Sequence, residues 1–170
     1  MDFDNLVDPS RPYADKIALL KHLLAEQDAA LVRKQFSYPL ADLFSDFSLF
    51  GYRKDASEAE RIGAFLNQMS SLSQDTPAPE VLEAAPVLDD WCAIHDCDTL
   101  VLIGIVAGHP HIRDRGRART SLLLQIHPQA GWARTWNRYY RLKTYSRQTF
   151  FEWHYESKIS PMMQIFEITD

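Results

Sequence analysis

Apolar residues along the first seventy positions recur at helical spacing. In "SRPYADKIALLKHLLAEQDAALVRK", residues 10–34, Ile17, Leu20, Leu24 and Leu31 fall on one stripe, and Leu19 and Leu23 widen it. Ser10 can cap such a helix and Pro12 fits its first turn, so one helix is expected over 10–34. A second short helix is expected over 40–50, ended by Gly51. Ser57 and Glu60 form a capping box ahead of Ile62, Phe65, Leu66, Met69 and Leu72, which predicts a helix over 57–72. "SSLSQDTPAPE", residues 70–80, reads as a linker.

Beyond it the pattern shortens. "VLDDWCAI", "TLVLIGIVAG", "ARTSLLLQI", "WARTWNRYYRL", "TFFEWHY" and "MMQIFEI" are brief runs rich in β-branched and aromatic residues, several of them separated by turn material such as "HDCD" and "RDRG". Such short spacing favours antiparallel hairpins over βαβ crossovers. The expected class is α+β: N-terminal helices packed on a C-terminal antiparallel β-sheet or small barrel of five or six strands. The expected division is a helical segment, 1–75, and an antiparallel β domain, 76–170.

Composition adds a core and a compartment. The chain has 170 residues, 46% of them hydrophobic, which is enough for a packed interior. No apolar run approaches the roughly 18 residues of a membrane span, and "MDFDNLVDPS" lacks the basic and apolar regions of a secretory leader. Two cysteines, Cys92 and Cys97, suit a reducing cytoplasm, so a cytoplasmic protein with no membrane partner is expected.

Charge changes the picture more. Residues 1–100 carry 8 Lys/Arg against 18 Asp/Glu, a net of −10; residues 101–148 carry 9 against 1, a net of +8. The asymmetry predicts either an anionic partner for the basic part or a contact between an N-terminal acid and one of its arginines. Within it, Arg113, Arg115, Arg117 and Arg119 alternate. If residues 131–142 form one strand, Trp132, Arg134, Trp136, Arg138 and Tyr140 share a face. That face would be an aromatic and cationic platform able to hold phosphates or carboxylates. The structural alternative buries the tryptophans and lays the arginines over them or against the acidic half.

The segment 100–142 contains "LIGIVAGHPHIRDRGRARTS" and "GWARTWNRYYRL". Gly108-His109-Pro110 opens a loop, Thr120-Ser121 marks a strand, and a strand ending in Tyr, Arg and Leu closes the unit. In these features it resembles a domain of unknown function from uncharacterised bacterial proteins. This sequence departs from that pattern at "DRG", where Arg115 stands inside the usual Asp-Gly turn. The resemblance implies a β unit and no activity.

Other constellations fall short of chemistry. Cys92, His95 and Cys97, with His109 and His111, are zinc-ligand types at a spacing that no zinc knuckle uses, and neither metal nor cofactor is expected. His109-Pro110-His111 with Asp114 lacks a nucleophile or charge stabiliser. Arg119-Thr120-Ser121 with Glu152 and Glu156 only partly follows the ADP-ribosyltransferase pattern, and no glycine-rich phosphate loop is present. The expected function is therefore non-enzymatic binding: an inhibitor or adaptor of another macromolecule, of anti-CRISPR or immunity-protein type. Its expected site is Arg113, Arg115, Arg117, Arg119, Arg134, Trp136, Arg138 and Tyr140, and its expected partner an acidic protein surface. The alternatives are a nucleic-acid-binding module built on residues 113–147 and, third, a cryptic enzyme.

Overall fold

A computed structural model describes residues 8–26 and 28–168. The N-terminal stripe forms two helices, not one: α1 (Ala14–Ala25) and α2 (Ala29–Lys34). The break has a local cause. The Asp28 carboxylate accepts from the Leu31 backbone N–H at 2.7 Å and starts a new helix. Ser10 is no cap; its hydroxyl and amide both donate to Asp8, and α1 starts after Tyr13. Helix α3 (Tyr38–Asp46) runs on into a π-helical turn, Phe47–Gly51, over the expected 40–50 region. Helix α4 (Glu58–Leu72) carries the full capping box: the Ser57 hydroxyl accepts from Glu60 N–H at 3.2 Å, and the Glu60 carboxylate accepts from Ser57 N–H at 2.7 Å. Part of the expected linker is helical, as α5 (Pro79–Ala84), with proline at its first position.

Among the described residues seven strands follow: β1 (Val87–Asp96), β2 (Thr99–Ala107), β3 (Gly116–Arg119), β4 (Leu123–His127), β5 (Trp132–Thr135), β6 (Tyr139–Leu142) and β7 (Gln164–Phe166). They form an open sheet of order β3-β2-β1-β6-β5-β4, with β7 also paired to β1, and not a barrel. All pairs are antiparallel except β1 with β6, which meet in parallel over two residues of each strand. The fold is α+β, with helices first and a mostly antiparallel sheet after them.

Two of the expected strands are broken and one is a helix. The run 118–126 divides at Thr120-Ser121, and 131–142 divides at Trp136-Asn137-Arg138. The run 149–155 lies in α6 (Arg147–Tyr155). There Thr149 and Trp153, one helical turn apart, are the buried pair, and the Thr149 hydroxyl donates to Asp90 C=O at 2.6 Å.

The two faces of the sheet carry separate cores. Trp91, Ala93, Leu100 and Leu102 face the helices and join Ile62, Phe65, Leu66 and Met69 of α4 in the main core. Cys92, Ile94, Val101 and Ile103 point the other way and pack with Trp153, Ile159 and Met163. The helices meet the sheet through apolar surface, while Asp15, Asp28, Asp42, Asp46, Glu58 and Glu60 are exposed. No acid–arginine ion pair joins the two parts among the described residues, although Asp75 attracts Arg134 from beyond ion-pair distance. The ion pair that joins them has the opposite polarity, Lys16 of α1 with Asp98 at the β1–β2 turn. Also among the described residues, no helix is long and apolar enough to cross a membrane.

Gly104 sits opposite the irregularity in β1 between Asp89 and Cys92. A methyl group there would stand 2.8 Å from the Asp89 carbonyl oxygen and 3.1 Å from Leu88 Cγ. Backbone on one side leaves little room to yield. Gly104→Ala is expected to cost about 1–3 kcal/mol, read as a lower denaturant midpoint.

Candidate functional site

The basic segment is divided by the fold into arginines that are used and arginines that are free. Residues 131–142 form a hairpin. Thr135 closes it: its amide donates to Arg138 C=O at 2.9 Å, and its hydroxyl accepts from Arg138 N–H at 3.3 Å. The alternation therefore stops at Thr135, and no continuous platform exists. Trp136 turns toward the helices and packs on Phe47 and Phe65, with centroids at 6.1 and 5.2 Å. Tyr140 is buried. Trp132 stacks against His127 at 4.2 Å. Tyr140 is thus packed away, while Trp136, half-buried on the helical half, does not share one open face with Arg134 and Arg138.

The four alternating arginines are all exposed but do not share one side of an extended loop. Asp114 accepts from Gly108 N–H at 2.8 Å and Arg115 donates its amide to Val106 C=O, so "DRG" closes the β2–β3 connection. Arg115 takes a left-handed conformation, φ 62°, to do so. Arg117 and Arg119 project from β3, at the sheet edge, with Ala118 turned inward between them. Both have internal partners: Arg117 holds Glu156 with both guanidinium ends and lies over the Trp153 ring, and Arg119 holds Asp96. Arg113, Arg115, Arg134 and Arg138 enter no ion pair among the described residues.

Two of these free arginines line a groove of about 820 Å³ between α5, the β2–β3 loop and the β5–β6 hairpin. Val81, Ala84 and Pro86 form one wall, Gly108 and Pro110 another; Arg134, Arg138 and Tyr139 contribute the third side. The Arg134 guanidinium lies over the Tyr139 ring, 4.6 Å from its centroid. Its Nε is buried without a hydrogen-bond partner, and burial lowers its affinity for its proton. Nearby, His109 Nδ1 accepts from the amides of His111 and Ile112 at 3.1 and 3.2 Å. Burial first, then Arg138 and His111, lowers the pKa of His109, so its ring favours the neutral form.

Tyr139 is the anchor of this side. Its hydroxyl donates to Asp75 at 2.7 Å and is pushed up to about 12 from an ordinary 10.0, first by burial and then by that carboxylate. A group whose folded value lies above its unfolded one contributes stability that is complete below the unfolded value and is lost as pH rises through the folded one. Between about pH 10 and pH 12 wild type should therefore lose stability more steeply than Tyr139→Phe. Urea midpoints measured across that window check it; parallel curves would remove Tyr139 from the account.

The other constellations are dispersed. Thr120 serves the sheet by accepting from Leu102 N–H, Ser121 accepts from Asn137 N–H, and Glu156 is held by Arg117, so the Arg-Thr-Ser/Glu set does not converge. Cys92 lies in the core behind the sheet, whereas His95 packs edge-on to Phe166. Among the described residues, no three His, Cys, Asp or Glu side chains are grouped to hold a metal ion. The α5 wall escaped the sequence reading, although Pro79-Glu80 at a helix start was a usable signal for it.

A family model described as a family of unknown function (DUF6634) matches residues 57–150. The match runs from the cap of α4 through β6 into α6 and contains every residue that lines the groove. It also contains the 100–142 unit in which the sequence resembles such a domain. No curated protein and no solved structure matches the chain.

Proposed function

The chain belongs to a family of unknown function, DUF6634, so its role has to be read from its own surface, and we propose that it is a non-enzymatic binding protein, an inhibitor or adaptor that docks an acidic protein partner on its basic β part. The observation that carries this reading is the pair Arg134 and Arg138. Both line an open groove, neither enters an ion pair among the described residues, and Arg134 has already lost water at Nε while Asp75 attracts it only from beyond ion-pair distance. A desolvated cation that no carboxylate contacts is costly, and an incoming carboxylate at contact distance offsets that cost.

A protein partner is favoured over nucleic acid because most rings of the basic segment are engaged by neighbours, with Tyr145 the exposed one. Tyr139 is covered by Arg134, Trp132 by His127, and Trp136 by the phenylalanines of the helical half. Single-strand binders need such faces free for bases to stack. A net charge of −5 also works against non-specific attraction to phosphate.

Affinity capture on the full chain from a lysate of its source organism, with and without nuclease, tests the proposal. A stoichiometric, net-acidic protein should be retained after nuclease and released by rising salt. Loss of all captured protein on nuclease treatment would assign the basic segment to nucleic acid instead.

A further inference from the structure

We infer that the groove between α5 and the β5–β6 hairpin is a peptide site for an extended partner segment, with one Asp or Glu carboxylate on Arg134 and Arg138 and a neighbouring aliphatic side chain between Val81 and Pro110. The inference rests on the acidic-partner reading above and specifies where and how it is met. Three features of the groove select this ligand.

The first is its mixed lining. Val81, 46% exposed, lines the groove with Ala84, Pro86 and Pro110, so α5 and the β2–β3 loop contribute aliphatic surface while the cations come from the hairpin. A fully ionic ligand would leave those walls against charge; an acidic residue beside an aliphatic one satisfies both. The second is the posture of Arg134. Its stacking on Tyr139 holds the guanidinium plane, and Tyr139 is itself tied down by Asp75. A held planar fork suits a carboxylate and loses little freedom on binding it.

The third is Glu80, an exposed carboxylate on the groove's lining. It has no ion-pair partner among the described residues. With Arg134 and Arg138 it leaves the lining one positive charge in excess, which suits a ligand with a single acid and disfavours one carrying several negative charges. The volume, about 820 Å³, fits a few side chains of an extended segment.

The test selects random dodecapeptides displayed on phage against the full chain, then measures a synthetic peptide of the resulting consensus by fluorescence anisotropy. The expected consensus has one Asp or Glu next to Leu, Ile, Val or Met. The consensus peptide should bind about tenfold or more weakly to Arg134→Met, to Arg138→Ser and to Val81→Asp, and unchanged to Arg113→Ser/Arg115→Ser. Arg134→Met keeps the stem over Tyr139; should it melt early, the two other groove variants decide alone. A consensus without an acidic position, or binding indifferent to all three groove variants, overturns the inference. Acidic peptides whose binding depends on Arg113 and Arg115 would place the partner on the loop, sinking the groove while leaving the acidic-partner reading intact. Oligothymidylate binding together with acid-free peptides would end both.

Discussion

Phe65→Ala is expected to lower the free energy of unfolding by about 3–5 kcal/mol, a roughly 6–20 °C fall in melting temperature for a chain of this size. Phe65 has no exposed surface, and four rings surround it: Phe36, Phe44, Phe47 and Trp136, with centroids 5.8, 5.4, 5.5 and 5.2 Å away. Those rings come from different parts of the chain. Phe44 lies on α3, Phe47 in the π-helical turn and Trp136 in the β5–β6 hairpin. Phe65 on α4 is therefore the point where the helical half grips the sheet, and truncation leaves a cavity that no single element can close. The same hairpin carries Arg134 and Arg138, so the loss should also loosen the groove. Urea denaturation reads the effect as a lower midpoint at unchanged slope. A loss below about 1 kcal/mol would mean that the four remaining rings rearrange freely, and that α4 does not anchor the hairpin.

Helix α4 was legible because two independent local signals agreed: the Ser57/Glu60 box and a helical apolar period. The break between α1 and α2 was not, because Asp28 inside an apolar stripe looks like an ordinary exposed acid until its carboxylate is seen on Leu31 N–H. The 131–142 run kept β alternation through Trp136, but Thr135 can cap its own turn and Trp136 has a pocket waiting on α4. That second fact is tertiary and leaves no mark in the run itself. Arginine partners were equally hidden. Alternation correctly puts Arg117 and Arg119 on one side of β3, yet Glu156 and Asp96 lie 39 and 23 residues away in sequence. What separates a free arginine from a paired one here is only whether a distant carboxylate reaches it.

Trp153→Ala is expected to cost about 3–5 kcal/mol as well, on the opposite face of the sheet and with a different chemical signature. Residues 149–155 read as a strand by composition, with Phe150, Phe151, Trp153 and Tyr155 in close succession. As a strand they would put Thr149, Phe151, Trp153 and Tyr155 all on one face, whereas the helix turns only Thr149 and Trp153 toward the sheet. Phe151 and Tyr155 are left exposed by that choice, at 52% and 91%. Trp153, 6% exposed, covers a core of Cys92, Ile94, Val101 and Ile103, and Arg117 lies over its ring at 5.8 Å while holding Glu156. Removing the indole takes away the cover and the surface on which Arg117 rests. Cys92 then reports the change. In wild type it is fully buried and its thiol is pushed up to about 12 by burial, while Cys97 is exposed at the β1–β2 turn. A thiol held protonated behind a helix is slow to alkylate, since the thiolate is the nucleophile. Iodoacetamide should therefore label native wild type at Cys97 alone, and Trp153→Ala at both positions under conditions where the main core stays folded. No groove residue belongs to this second cluster, so peptide binding at Arg134 should survive the substitution. If Cys92 stays protected while stability falls by the full amount, α6 remains docked without its tryptophan, and the second core is held by Ile159 and Met163 instead.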